Sequence, residues 1–150
     1  MAEYDSTKDT MDHKNKVKDF MNRCIDDLVY RAENHDNSKL ESPEKEYFDE
    51  FTPKLKDTTY GSKDYQKCLD GLKVALDHHY EANSHHPEHY ENGVNGMTLV
   101  DLLELICDWK ASSMRHEDGD INKSIEINKD RFKLSDQLVD ILKNTVKEYF

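Results

Sequence analysis

Apolar residues recur along this chain at steps of three and four, and no strand-like alternation persists. That pattern predicts helices and no sheet. From Asp12 the apolar stripe runs through Val17, Phe20, Met21, Cys24, Leu28 and Ala32. Ser42-Pro43 predicts the start of a second helix, with serine as cap and proline at the first helical position. Its inward residues are Tyr47, Phe48 and Phe51, and Pro53 is expected to end it. Tyr60-Gly61-Ser62 predicts the cap of a third helix, whose stripe is Tyr65, Leu69, Leu72, Leu76 and His79. Pro87 restarts a short helix, which Gly93 and Gly96 stop. Thr98 then caps the most apolar helix, through Leu99, Val100, Leu102, Leu103, Leu105, Ile106 and Trp109. Glu117-Asp118-Gly119-Asp120 predicts a turn, followed by a short helix from Ile121. Ser135 caps the final helix, through Leu138, Ile141, Leu142 and Val146. The polar residues 1–10 are expected to fray.

A length of 150 residues suits one domain, so the expectation is an all-α fold, a single compact helical bundle over residues 1–150. Hydrophobic and charged residues each make up 35%, which predicts a small core under a heavily charged surface. The formal net charge of -11 argues against general binding to a nucleic acid duplex or an anionic membrane. A small anion can still bind where a metal and a few basic residues reverse the local field. Cys24, Cys68 and Cys107 are scattered singly, an odd number without a Cys-x-x-Cys pair, and predict thiols in a reducing compartment. No apolar run approaches ~18 residues and the N-terminus lacks a signal-peptide pattern, so a soluble, cytoplasmic protein is expected.

The histidines change the picture. Six of the eight fall in two short stretches, one containing His35-Asp36-Asn37-Ser38-Lys39-Leu40 and the other spanning His78 to His89. Imidazole with carboxylate suits first-row transition metals. His79 continues the Leu72–Leu76 stripe and faces inward; a lone inward histidine is as often a hydrogen-bonded core residue as a ligand. His85 and His86 precede Pro87, where backbone leaves the helical region and neighbouring imidazoles can turn to a common point. Asp108 shares a polar stripe with Glu104 and Ser112 on the greasy fourth helix, either a solvated face or a ligand inserted into the bundle. His13 raises a geometric problem. One unbroken helix over residues 12–36 would separate it from His35 by about 33 Å, and pattern alone favours that single helix. Asp118-Gly119-Asp120 resembles the start of a calcium loop, but Lys123 and Lys129 occupy its sixth and twelfth positions and exclude it.

Taken together, His13, His35-Asp36 and Asp108 resemble, in order, the ligand pattern of the HD superfamily of metal-dependent phosphohydrolases. The run from His35 to Leu40 is similar to the His-Asp-x-Gly-Lys-Ile element of its HD-GYP branch, with Ser38 in place of glycine. His85-His86-Pro87-Glu88 and Asn92-Gly93-Val94-Asn95-Gly96 resemble that branch's His-His-Glu and Asp-Gly-x-Gly-Tyr segments, with Met97 where the tyrosine would stand. Closer still is the likeness to small phage and bacterial proteins carrying His-Asp-x-Ser-Lys, Asn-x-His-His and Asp-Trp elements, here residues 35–39, 83–86 and 108–109. The resemblance covers roughly residues 13–131. It implies an HD-type bundle with a turn near residues 22–27 that returns His13 to His35.

It further implies two divalent transition ions of the Fe, Mn, Co, Ni or Zn kind. His13, His35, Asp36 and Asp108 would hold one, and Asp36 would bridge to a second held by His79, His85 and His86. Asp36 and Lys39 would be catalytic, Lys39 neutralising phosphate as a point charge. Lys110, Arg115 or Arg131 would assist in binding substrate. The expected activity is hydrolysis of a nucleotide's phosphate ester, monoester or diester, through a metal-bridging water, in the cytoplasm of a host cell if phage-encoded. Two rivals stand beside it: a module that sequesters a nucleotide without cleaving it, and a structural helical protein with one zinc ion.

Overall fold

The three-and-four spacing folds as six α-helices, with no strand among the described residues. The computed structural model describes residues 4–58, 62–115 and 119–150. The helices are α1 (Thr7–Asn34), α2 (Glu44–Lys56), α3 (Lys63–Ala82), α4 (Leu99–Ser113), α5 (Ile121–Phe132) and α6 (Asp136–Tyr149). Single 3-10 turns stand at Asn37–Leu40, Pro87–His89 and Gly93–Gly96. The chain divides into two compact units, residues 1–35 and 36–150.

The first unit is α1, which begins at Thr7, five residues before the predicted start, inside the stretch expected to fray. It is continuous over 28 residues and buries none of them. The turn expected near residues 22–27 is absent; no glycine or proline interrupts the helical hydrogen bonds there. His13 is exposed on this helix, and at 1.5 Å per residue it lies about 33 Å from His35 along the axis. The two cannot share an ion within one chain, which removes His13 from the ligand set.

The second unit is built in two halves. In one, α5 and α6 close on α4 around Ile106, Ile121, Ile125, Leu134, Val139, Leu142 and Val146, with Trp109 stacked on Phe132 at the margin. In the other, α2 packs along α3. The α3 stripe is buried at Cys68, Leu72, Ala75 and His79, with Tyr65 and Leu76 half-buried beside it. Gly71 lies on that contact because a Cβ there would run into the ring of Phe51.

Caps follow the sequence at Ser62, Thr98 and Ser135, each of which accepts a backbone N–H in the first turn. Tyr60 and Gly61, and Glu117 and Asp118 of the expected turn, lie outside the described residues.

Three expectations need correction. The Ser42–Pro43 peptide is cis and Pro43 itself is the N-cap, so α2 opens on Glu44 with no serine cap. Pro53 lies inside α2, which runs on to Lys56: so near the end, a missing N–H costs one bond and the final turn survives. The helix expected after Pro87 is two separate 3-10 turns, divided where Gly93 takes a positive φ of 59°.

Candidate metal centre

Four side chains of the second unit converge: Asp36, His79, His85 and His86 each offer a ligand atom, and these atoms all lie within 4.8 Å of one another. They come from three places in the chain. Asp36 adopts the left-handed region at φ 57° and leads into the 3-10 turn at Asn37–Leu40. Aspartate is among the few residues that visit this region readily. His79 is in the last turn of α3, and the irregular stretch after that helix supplies His85 and His86.

The orientation of the imidazoles is set by two carboxylates, one buried and one partly buried. His79 is 2% exposed, and its Nδ1 donates to Glu44 Oε2 at 2.9 Å. Glu44 is wholly buried, and its other oxygen accepts from Nδ1 of His78 at 2.7 Å. His85 is likewise 2% exposed, with Nδ1 3.1 Å from Glu104 Oε1. A carboxylate only accepts, so each neutral ring carries its proton on Nδ1 and keeps the lone pair on Nε2. Those Nε2 atoms face inward. His79 Nε2 is 2.9 Å from His86 Nε2 and 3.4 Å from Asp36 Oδ1, and His85 Nε2 is 3.5 Å from the same oxygen.

These separations fit one cation. With metal–nitrogen bonds of about 2.0–2.1 Å, two ligand atoms lie about 2.8–3.0 Å apart at a right angle and about 3.3–3.4 Å apart in a tetrahedron. The donor set of three imidazoles and a carboxylate, without thiolate, selects Fe, Mn, Co, Ni or Zn over calcium. Carboxylate-to-histidine pairs behind the ligands are the usual means of fixing the tautomer and raising ligand basicity. Burial lowers the pKa of His86 to about 3, assisted by the neighbouring charges of His85 and His79 and opposed by Asp108 and Asp36. Burial also lowers that of His79, with Lys39 adding to the effect and Asp36 and Glu44 opposing it. Both rings are therefore neutral near pH 7, the state in which imidazole binds metal.

The supporting shell is continuous. Asn83 donates to the hydroxyl of Ser38 and to the carbonyl of His79, tying the 3-10 turn to the end of α3. Asp101, buried at the third position of α4, accepts from Ser84 Oγ, Tyr90 OH, and the backbone and side chain of Thr98. Burial alone would raise its pKa; the Thr98, Tyr90 and Ser84 donors outweigh that and hold it down to about 2. This anion clamps both ends of the segment carrying His85 and His86 to the start of α4.

The other sequence-predicted residues fall as follows. Asp108 offers a carboxylate oxygen within 4.8 Å of a His85 nitrogen and acts electrostatically on His86, so it borders the cluster. Lys39 Nζ donates to Asp36 Oδ2 at 2.6 Å and sits over the Phe48 ring. His35 is the C-cap of α1, next to Asp36 in the chain. Lys110 is two residues beyond Asp108 on α4, about 200° round the helix from it, and Arg115 is exposed past the helix end. Arg131, on α5, bonds Glu88, two residues beyond His86, and is not among the four converging ligands.

The sequence reading missed Glu44 and gave Glu104 no role. Glu104 was visible as the helical neighbour of Asp108. Glu44 had no such signal, because its partners are 34 and 35 residues away and meet it only through α2–α3 packing. No described helix is long and apolar enough to cross a membrane. No curated protein and no solved structure matches the chain. A family model described as "Family of unknown function (DUF5662)" matches residues 2–148. The chain belongs to that family.

Proposed function

We propose that this protein is a metal-dependent phosphohydrolase acting on the phosphate ester of a nucleotide. The observation that carries the proposal is the pair of carboxylates, buried Glu44 and partly buried Glu104, that turn His79 and His85 so that their lone pairs share a focus with His86 and Asp36. Carboxylate-backed histidines aimed at one point are what a bound transition metal requires and what a merely packed core does not. The phosphoester and the nucleotide come from the likeness of residues 35–39, 83–86 and 108–109 to HD-type enzymes.

A bound ion would supply Lewis acidity and an acidified water for attack on phosphorus. The chain's own groups do the rest. Lys39 holds its ammonium beside Asp36, where it can exchange that carboxylate for a phosphate oxygen. Asp108, at the border of the cluster, would offer a further carboxylate should a second ion be held there. The Asp101 clamp fixes the segment on which two of the ligands ride.

The test joins metal analysis of freshly purified protein to turnover of a generic phosphodiester and a nucleotide panel, with Mn or Co added. Asp36→Ala is expected to lose both bound metal and hydrolysis while keeping wild-type helicity. Wild-type turnover that persists after exhaustive chelation, or full activity in Asp36→Ala, contradicts the proposal. Tight nucleotide binding with no product points to sequestration instead.

A further inference from the structure

We propose that α1 pairs antiparallel with α1 of a second copy of this chain, forming a homodimer independent of the metal centre. The helix carries an apolar stripe at heptad spacing, Val17, Met21, Cys24 and Leu28, flanked by Phe20 and Ile25. Phe20 is 62% exposed, Met21 59%, Ile25 50% and Val17 42%, and no residue of the helix is buried. A helix of 28 residues draws most of its stability from packing such a face, and a contiguous exposed stripe of this kind marks an association surface.

Charge selects the occupant and its direction. Residues 7–18 hold four lysines (Lys8, Lys14, Lys16, Lys18) against Asp9 and Asp12. Residues 19–34 hold four acids (Asp19, Asp26, Asp27, Glu33) against Arg23 and Arg31. The helix is basic in its first half and acidic in its second. Two copies in parallel would set like against like; antiparallel copies set each basic half on an acidic one. With the two-fold axis between Met21 and Asn22, near the middle of the helix, Lys16 comes opposite Asp27 of the second copy. Lys16 and Asp27 share one flank of the stripe at 100° per residue, where an antiparallel pair brings like flanks together. Helix dipoles add to the preference, since antiparallel axes attract.

The full-length protein is examined by sedimentation equilibrium over a concentration series. Twice the protomer mass is expected, and Met21→Asp is expected to give a monomer with an unchanged near-ultraviolet spectrum. Lys16→Glu and Asp27→Lys are each expected to weaken self-association by about tenfold, since each exchanges two surface attractions for repulsions. Mixing these two variants restores both contacts at once, so a mixed dimer near wild-type affinity is expected. A wild-type monomer, a dimer indifferent to Met21→Asp, or a mixture no tighter than its components overturns the proposal.

Discussion

The long first helix and the histidine centre of the second unit use polar residues in opposite ways. In α1 the charged groups are exposed or half-buried and pair locally, as Asp27 and half-buried Arg31 do at 3.0 Å, and none of its apolar residues is fully buried. Around Asp36 the charged and titratable groups are sunk into the protein. Glu44, His79, His85 and Asp101 are each no more than 2% exposed. Taking such groups out of water costs several kcal/mol unless every one finds partners. Chains do not accumulate buried carboxylates and imidazoles in one place for stability alone. The difference teaches where to probe each unit: the second at its buried polar groups, the first at its exposed apolar ones.

The sharpest way to break that comparison is to disturb a carboxylate behind the ligands. Glu44→Gln preserves volume but presents an amide to one of its two imidazoles. Metal affinity is expected to fall by about 10–100-fold, as for other groups that orient ligands, with the fold retained; competition with a chromogenic chelator measures it. Unaltered affinity would reduce Glu44 to packing. Gly71→Ala tests the α2–α3 contact that positions Glu44 over α3. Alanine gains about 1 kcal/mol of helix propensity, yet its methyl meets the Phe51 ring, so net destabilisation of about 1–3 kcal/mol is expected in urea unfolding.

Acid titration of the metal-stripped protein is gentler. His86 titrates near 3 in the folded chain and near 6.5 when unfolded, so above about pH 6.5 the group is neutral in both states. Below that the unfolded chain takes up the proton first, and stability is expected to decline as pH falls from about 6.5 towards 3. His86→Gln should flatten this part of the profile. Smallest of all, His13→Ala is expected to leave metal content unchanged and stability within about 0.5 kcal/mol, because His13 is exposed on α1.

Legibility in the sequence followed the same divide. Periodicity placed all six helices, and the caps at Ser62, Thr98 and Ser135 were readable because capping is a local interaction. Bare periodicity also favoured an unbroken α1; the family likeness argued for a turn, and the backbone follows the periodicity. Pro53 misled because its effect depends on how near the helix end lies. His79, His85 and His86 were legible from a stripe position and from the irregular backbone that Pro87 imposes. The role of Glu44 was not: it partners histidines 34 and 35 residues away, a register set by α2–α3 packing.

The most direct measurement is the metal content of freshly purified protein, wild type beside His85→Ala and Glu104→Gln. The account predicts at least one transition ion per wild-type chain, its loss in His85→Ala, and weakened retention in Glu104→Gln. Wild-type protein that stays metal-free when supplied with Fe, Mn, Co, Ni and Zn, or that holds its ion equally well without His85, would contradict it.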